Sequence, residues 1–472
     1  MALAKKVFKC SSCGAEYPRW QGNCTTCDAW NSVEEQQMVA DSGKFSGKRS
    51  GISQLAKEFT KPTPLKSIKF REELRFSTGF DEFDRVLGGG LVAGSMILIG
   101  GNPGAGKSTL LQQSMAKLSR SKSVCYVSGE ESLNQIALHS SRLGTQNENI
   151  MLLAESNLEK ILAAVVDTKP EVLVVDSIQT IYSTQQGSMM GGVAQVRECA
   201  MHLMEYAKKS GCAVFLVGHV TKEGALAGPR VLEHIVDCSL LLESTHDAKY
   251  RTLRSYKNRF GPVNEIGVFA MTDTGMKPVA NPSAIFMSHH SEPVLGSATA
   301  IIHEGSRQLL VEIQALVDSF TTTSPRRISL GLDSNRMALL MGVLSCHCGL
   351  QLSNNNVFMN IVGGLRVEET GTDLPCVLAL VSIATKKTLP AGFAAFGEIG
   401  LTGEIRPAPY GHERVKAAMR QGMKKILIPY ANDPKGSIKD TSVLRARNVS
   451  EALAIAFAEH ADSATPAKKS SS

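Results

Sequence analysis

From about Phe76 the chain alternates short, β-rich apolar runs with stretches of helical periodicity. The runs are Met96–Gly100, Val124–Val127, Met151–Leu153, Leu173–Val175, Ala213–Val217 and Ser239–Leu242. Near-continuous apolar runs of this length predict strands buried on both faces, with the helical stretches as crossovers of a mainly parallel α/β sheet. A second α/β segment is expected to begin after Gly261. Its predicted elements are a strand at Gln308–Val317, a helix over 333–349, a strand at Val357–Val362, a helix at Asp373–Lys386, a strand at Ala394–Glu398 and a helix at His412–Gln421. The polar residues 33–70, broken at Pro62-Thr63-Pro64, show no sustained periodicity and predict a linker, and the small, polar residues 461–472 predict a disordered tail. The expected plan is therefore a small unit at 1–32, the linker at 33–70, a nucleotide-type α/β domain at 71–272 and a second α/β domain at 285–460, with the boundary falling between 272 and 295.

A length of 472 residues fits two or three domains, and 43% hydrophobic with 20% charged residues excludes a disordered or fibrous chain. No uncharged apolar run reaches the roughly 18 residues that span a bilayer, and Met1–Cys10 lacks a secretory core. A cytoplasmic protein without a membrane partner is the expectation. Of eleven cysteines, Cys125, Cys199, Cys212, Cys238, Cys346, Cys348 and Cys376 lie in apolar surroundings and are expected to be buried thiols. A net charge of +7 is a weak pointer to an anionic partner and decides nothing alone.

The other four cysteines form two CxxC knuckles, Cys10 with Cys13 and Cys24 with Cys27, a spacing that presents four thiolates to one tetrahedral Zn²⁺. Such a closed site leaves no position for water, so its role is folding and partner contact rather than catalysis. Trp20 and Trp30 are expected to cover this small fold.

Ser95–Gly100 reads as a strand running into Gly101-Asn102-Pro103-Gly104-Ala105-Gly106-Lys107-Ser108-Thr109, followed by the helical Leu110–Ser119. This is a complete phosphate-binding loop in strand–loop–helix context, which predicts an ATP site. Its backbone N–H groups converge on phosphate at a helix N-terminus, Lys107 reaches the β/γ oxygens and Ser108 ligates Mg²⁺. Two carboxylates stand at predicted strand ends, where open α/β sheets bind ligands. Asp176 closes Val172–Val175 and is expected to hold Mg²⁺, while Glu130, with Glu131 as the alternative, is the candidate to activate the attacking water.

Taken together, Ser77–Asp81, Gly88–Gly90, the phosphate loop, Tyr126–Ser132 and Val172–Ser177 resemble the RecA-like recombinase core. Gly218–Lys222, Gly228–His234 and above all Lys257-Asn258-Arg259-Phe260-Gly261 are more specifically similar to the bacterial RadA (Sms) family. That family has a zinc ribbon in front of the ATPase core and a Lon-protease-like α/β domain behind it. The resemblance implies a homo-oligomer, a hexameric ring with ATP between subunits, and a DNA-dependent ATPase of recombinational repair that promotes branch migration. Single-stranded and branched DNA and a recombinase of the RecA type are the implied partners. Lys257 and Arg259, after the strand-like Thr252–Tyr256, suit cations that reach a neighbour's γ-phosphate or grip DNA. Gln185–Gly192 corresponds to a DNA-facing loop, with Gln179, Thr180, His219 and Lys222 placed to report nucleotide state to it.

A metal role for His347 is not expected, because Cys346, His347 and Cys348 point in different directions on a helix. Where a Lon-like protease would carry a Ser and a Lys, this chain offers Thr370–Pro375 without Ser, and His412. Only a Thr372/His412 pair is chemically conceivable, so proteolysis is not expected and the domain is expected to assemble the ring and present cations to DNA. A reading from another class, a non-enzymatic ATP-dependent scaffold or switch of KaiC-like type, would have no need of Glu130.

Overall fold

The computed structural model describes residues 75–458 apart from 147, 221–225, 228–230, 245–248, 289–291, 322–323 and 434–441; before residue 75 it describes Val7–Cys10, Glu16–Tyr17, Gly22 and Val33–Gln36. The chain forms two units, Met1–Lys69 and Phe70–Ser472. In the first, Val7–Cys10 pairs antiparallel with Glu16–Tyr17 on one side and Val33–Gln36 on the other. The stretch expected as a linker from residue 33 thus begins with a strand of the cysteine-bearing unit. Cys13, Cys24, Cys27, Trp20, Trp30 and the tail 461–472 lie outside the described residues, as does Lys222.

The second unit is built on two sheets. The first has nine strands in the order Gly275–Pro278, Ile266–Thr272, Tyr250–Asn258, Cys238–Ser244, Met96–Gly101, Ala213–Val217, Val172–Asp176, Val124–Ser128 and Met151–Ala154. The six from Cys238–Ser244 to Met151–Ala154 run parallel, and the other three are added antiparallel at one edge. The four central runs are buried at every position, as strands covered on both faces require. Two of the crossover helices start on side-chain caps: Ser132 and Gln135 form a capping box, and Asn157 accepts from the Lys160 amide at 2.9 Å. The expected start of a second segment after Gly261 is corrected here. Ile266–Thr272 and Gly275–Pro278 return to the first sheet, which therefore runs past residue 272.

The second sheet orders Arg327–Leu330, Asn355–Ile361, Arg307–Thr321, Ser297–Glu304, Phe393–Ala395, Lys425–Pro429 and Ser442–Ala446, and packs around the buried helix Asp373–Thr385. The strand expected at Ala394–Glu398 is instead two, because Phe393–Ala395 joins the sheet while Glu398–Ile399 pairs with Ile405–Arg406. Helix Ser334–Cys348 is capped by Asp333 and closed by left-handed Gly349. It buries Met337, Leu340, Met341 and Leu344, a stripe that leaves Cys346 exposed and Cys348 only half-buried. Those two cysteines are corrections to the expected burial; the other five are buried.

The first sheet has hydrophobic clusters of its own and joins the core of the second through Ile266 and Val268, which pack there with Phe286. Arg307 closes the joint with paired bonds of 3.0 Å to both Glu82 oxygens, and Arg254 reaches Glu304 at 2.6 Å.

Candidate active site

Three parallel strands end at the site, Met96–Gly101 being separated from the other two by Ala213–Val217. Met96–Gly101 leads into the loop, and Val124–Ser128 and Val172–Asp176 stand in register with Ser128 opposite Asp176. Gly101 is crossed so closely by the neighbouring strand that a Cβ there would lie 2.4 Å from the Leu242 carbonyl oxygen. Gly106, at φ 97°, turns the chain into the helix Lys107–Leu118. The antiparallel strands cover the loop: the Arg251 Nε donates to the Ala105 carbonyl at 2.9 Å, and the Met271 and Met276 methyls lie over Gly106.

The Lys107 ammonium donates to the carbonyls of Gly101 at 2.8 Å and Asn102 at 3.1 Å. Burial pulls its pKa below the usual lysine range, and the nearby carboxylates of Asp176 and Glu130 oppose that pull. The Ser108 hydroxyl donates to Asp176 Oδ2 at 2.7 Å, so two hard oxygen donors meet at the position expected for Mg²⁺, a fit to that cation's chemistry. The same Oδ2 accepts from the Tyr126 hydroxyl at 2.5 Å. Burial, then Asp176, push that phenol's pKa well up.

Glu130 faces the same cavity of about 390 Å³, which is lined by the loop together with Glu131, His139, Arg142, Asp176 and His219. Its carboxylate accepts from the Ser177 hydroxyl and lies 3.2 Å from His219 Nε2. Burial alone would raise its pKa, but these two partners and Lys107 hold it below the usual carboxylate range, so it is ionised at neutral pH. Glu131 differs: burial, Asp176 and Glu130 all raise its pKa. Thr180 packs directly behind this strand end, since a Cβ on Gly129 would lie 2.2 Å from its hydroxyl, and the Gln179 carbonyl faces Gly191. The turn at 178–180 therefore touches both the carboxylate strand and the loop after it, on which Met189 and Met190 are exposed.

Lys257 and Arg259 lie elsewhere. In the register of the sheet Lys257 is opposite Ser239, which pairs with Leu98 in the strand that carries the phosphate loop. At ~3.3 Å per residue that level is roughly 10 Å along the strand from Gly101, and Lys257 lies two strands to the side. Lys257 donates to the carbonyls of Glu233, His234 and Val236 at the end of the Val231–Ile235 helix, whereas Arg259 contacts Asp237 at 3.3 Å and stays 56% exposed. Neither cation serves the phosphate loop of its own chain.

In the second sheet Thr372 is buried with its hydroxyl donating to the Glu369 carbonyl at 2.9 Å, while His412 is exposed. Arg414, fully buried, fills this region and binds Glu369 together with the Pro409 and Ile301 carbonyls. His347 donates from Nε2 to the Leu401 carbonyl at 3.0 Å. Sequence reasoning missed Tyr126, Ser177, His139 and Arg142. For Tyr126 the available signal was its place two residues before the strand end, on the face shared with Ser128.

Residues 62–225 match the family described as AAA domain, residues 8–35 a rubredoxin metal binding domain, and residues 306–432 the subunit ChlI of Mg-chelatase. DNA repair protein RadA of Haemophilus influenzae is 49% identical, covering 96% of this chain and 99% of that protein. The chain belongs to the RadA family. The RadA of Escherichia coli is 48% identical over 96% of this chain and 98% of its own, and that of Bacillus subtilis 44% over 96% and 99%. A KaiC-like protein from Pyrococcus horikoshii aligns with 44% of this chain and 99% of its own at 19% identity and a TM-score of 0.37. The zinc ribbon, RecA-like ATPase core and C-terminal α/β domain are thus the three parts of a RadA chain. Among the described residues no helix is long and apolar enough to cross a membrane.

Proposed function

We propose that this RadA chain is a DNA-dependent ATPase of recombinational repair, working as a ring-shaped, helicase-like motor that promotes branch migration on single-stranded and branched DNA alongside a RecA-type recombinase. The observation that carries the ATPase reading is the convergence of Lys107, Ser108, Asp176 and Glu130 on one cavity at the ends of parallel strands. The loop amides and Lys107 bind and orient the phosphates, and the Glu130 carboxylate, ionised and aimed by Ser177 and His219, takes a proton from the attacking water. Mg²⁺, when bound through Ser108 and Asp176, neutralises charge developing on the phosphate oxygens.

The same reading assigns Lys257 and Arg259 to a neighbouring subunit's site or to DNA, and the exposed guanidinium of Arg259 is the better placed of the two. A hexameric ring, cytoplasmic in location, supplies that neighbour. The C-terminal domain serves assembly and DNA contact without proteolysis, a reading supported by the buried Thr372 hydroxyl, which donates to the Glu369 carbonyl, and by the exposed His412. The four cysteines hold Zn²⁺ and keep the ribbon folded.

Steady-state ATP hydrolysis with and without single-stranded DNA tests the proposal. DNA should raise the rate, and Glu130→Gln should lower it by a factor of about a hundred or more while nucleotide still binds. Turnover indifferent to DNA, with ATP setting only oligomer size, would replace the motor by a scaffold.

A further inference from the structure

Among the described residues Asp176 is the carboxylate that hydrogen-bonds Ser108, and its Oδ2 accepts two hydroxyls, from Ser108 at 2.7 Å and from Tyr126 at 2.5 Å. The two donors differ in what they are free to do. Ser108 opens the loop helix, and its oxygen is the one needed by a cation. Tyr126 is 2% exposed and sits in the core with Leu110, Leu111 and Phe215, so its ring is fixed by packing and its hydroxyl is held at Asp176, beside Ser108. When the Ser108 oxygen turns to a cation, its bond to Oδ2 is lost, and Tyr126 is the donor that continues to fix the rotation of the carboxylate.

We propose that Tyr126 is the positioning residue of the Mg²⁺ site, a buried hydroxyl that holds Asp176 Oδ2 so that the carboxylate presents itself to the cation beside Ser108. The inference rests on the ATPase reading above. The arrangement follows from the sheet: Val124–Ser128 and Val172–Asp176 are parallel neighbours, Ser128 lies opposite Asp176, and period-two alternation puts the Tyr126 side chain on the Ser128 face. A phenylalanine there would fill the same volume and lose only the hydroxyl. An outer hydrogen bond of this kind changes metal affinity about ten- to a hundred-fold when it is removed.

The test uses the full chain and an N-methylanthraniloyl-labelled ADP, whose binding is followed by fluorescence as Mg²⁺ is titrated and again in excess EDTA. For Tyr126→Phe the Mg²⁺ concentration at half-saturation should rise about ten-fold or more, with the EDTA affinity within about two-fold of wild type. In an Asp176→Ala background the Tyr126→Phe change should have no further effect, because the oxygen that Tyr126 holds has gone. Three results overturn the proposal: an unchanged Mg²⁺ midpoint, an equal loss of affinity with and without Mg²⁺, or the same shift on the Asp176→Ala background. If wild type and Asp176→Ala give identical Mg²⁺ titrations, the Mg²⁺ site itself is misassigned, and that outcome is distinct from failure of Tyr126 alone.

Discussion

Arg254→Ala strikes the joint between the two sheets, and its consequence can be worked from the surroundings of one carboxylate. Arg254 and Glu304 pair at 2.6 Å with side chains 15% and 7% exposed, and Arg254 also donates to the Arg366 carbonyl at 3.2 Å. Burial holds the Glu304 pKa above the usual carboxylate range even though Arg254 opposes the shift. Removing the guanidinium leaves a buried, uncompensated carboxylate, a loss of about 3–5 kcal/mol near neutral pH. Glu304 has a folded pKa above its unfolded one, so the native state takes up its proton first as pH falls and is favoured by that uptake. In Arg254→Ala that pKa moves further up, so the deficit should shrink on acidification, by at most about 1.4 kcal/mol for each pH unit below the new pKa. Denaturant unfolding of wild type and variant at about pH 8 and about pH 5.5 measures both effects. Glu304→Gln on the variant background should recover most of the loss at the higher pH. A deficit below about 1 kcal/mol, or one identical at both pH values, would refute the account of a stranded charge.

Lys107→Ala should abolish nucleotide binding and ATP turnover yet leave the unfolding free energy within about 1 kcal/mol of wild type, because burial disfavours the ammonium and its partners are loop carbonyls. A variant that melts early would show that Lys107 is structural. Gly101→Ala sets a Cβ 2.4 Å from the Leu242 carbonyl, a clash between two backbones that cannot be relieved by a rotamer, and should destabilise by about 1–3 kcal/mol while weakening nucleotide binding; wild-type melting and affinity would contradict this. Chelation should release about one zinc per chain, read colorimetrically, and Cys13→Ser should lower the zinc content; a chain that carries no zinc as purified from metal-replete cells would refute the four-thiolate site.

The phosphate site was legible because its information is local. A glycine-rich loop between an apolar run and a helix states its own geometry, and a carboxylate that closes a buried run is placed at the sheet's ligand edge by strand direction alone. That suffices for Lys107, Ser108, Glu130 and Asp176. Tyr126 was not legible as a site residue, since its ring reads as core and its hydroxyl bonds a carboxylate fifty positions away, |i−j|=50. Cys346 was misjudged for the opposite reason: its neighbours are apolar, but the core stripe of the helix passes it by.

The Lys257–Gly261 motif shows where reading a strand end stops short of reading a site. The motif is visible and so is the strand before it, yet its distance from the phosphate loop depends on whether that strand runs with or against its neighbours. The apolar run at Ser239–Leu242 joins the parallel set, and Tyr250–Asn258 returns antiparallel along it, with Arg251 delivered to the phosphate loop and Lys257 to the opposite end of the sheet. The strand thus carries a cation, Arg251, that braces the loop of its own chain and ends in Lys257, which points its ammonium at carbonyls on the far side of the sheet. Any chemistry that Lys257 or Arg259 performs on phosphate therefore requires a second molecule.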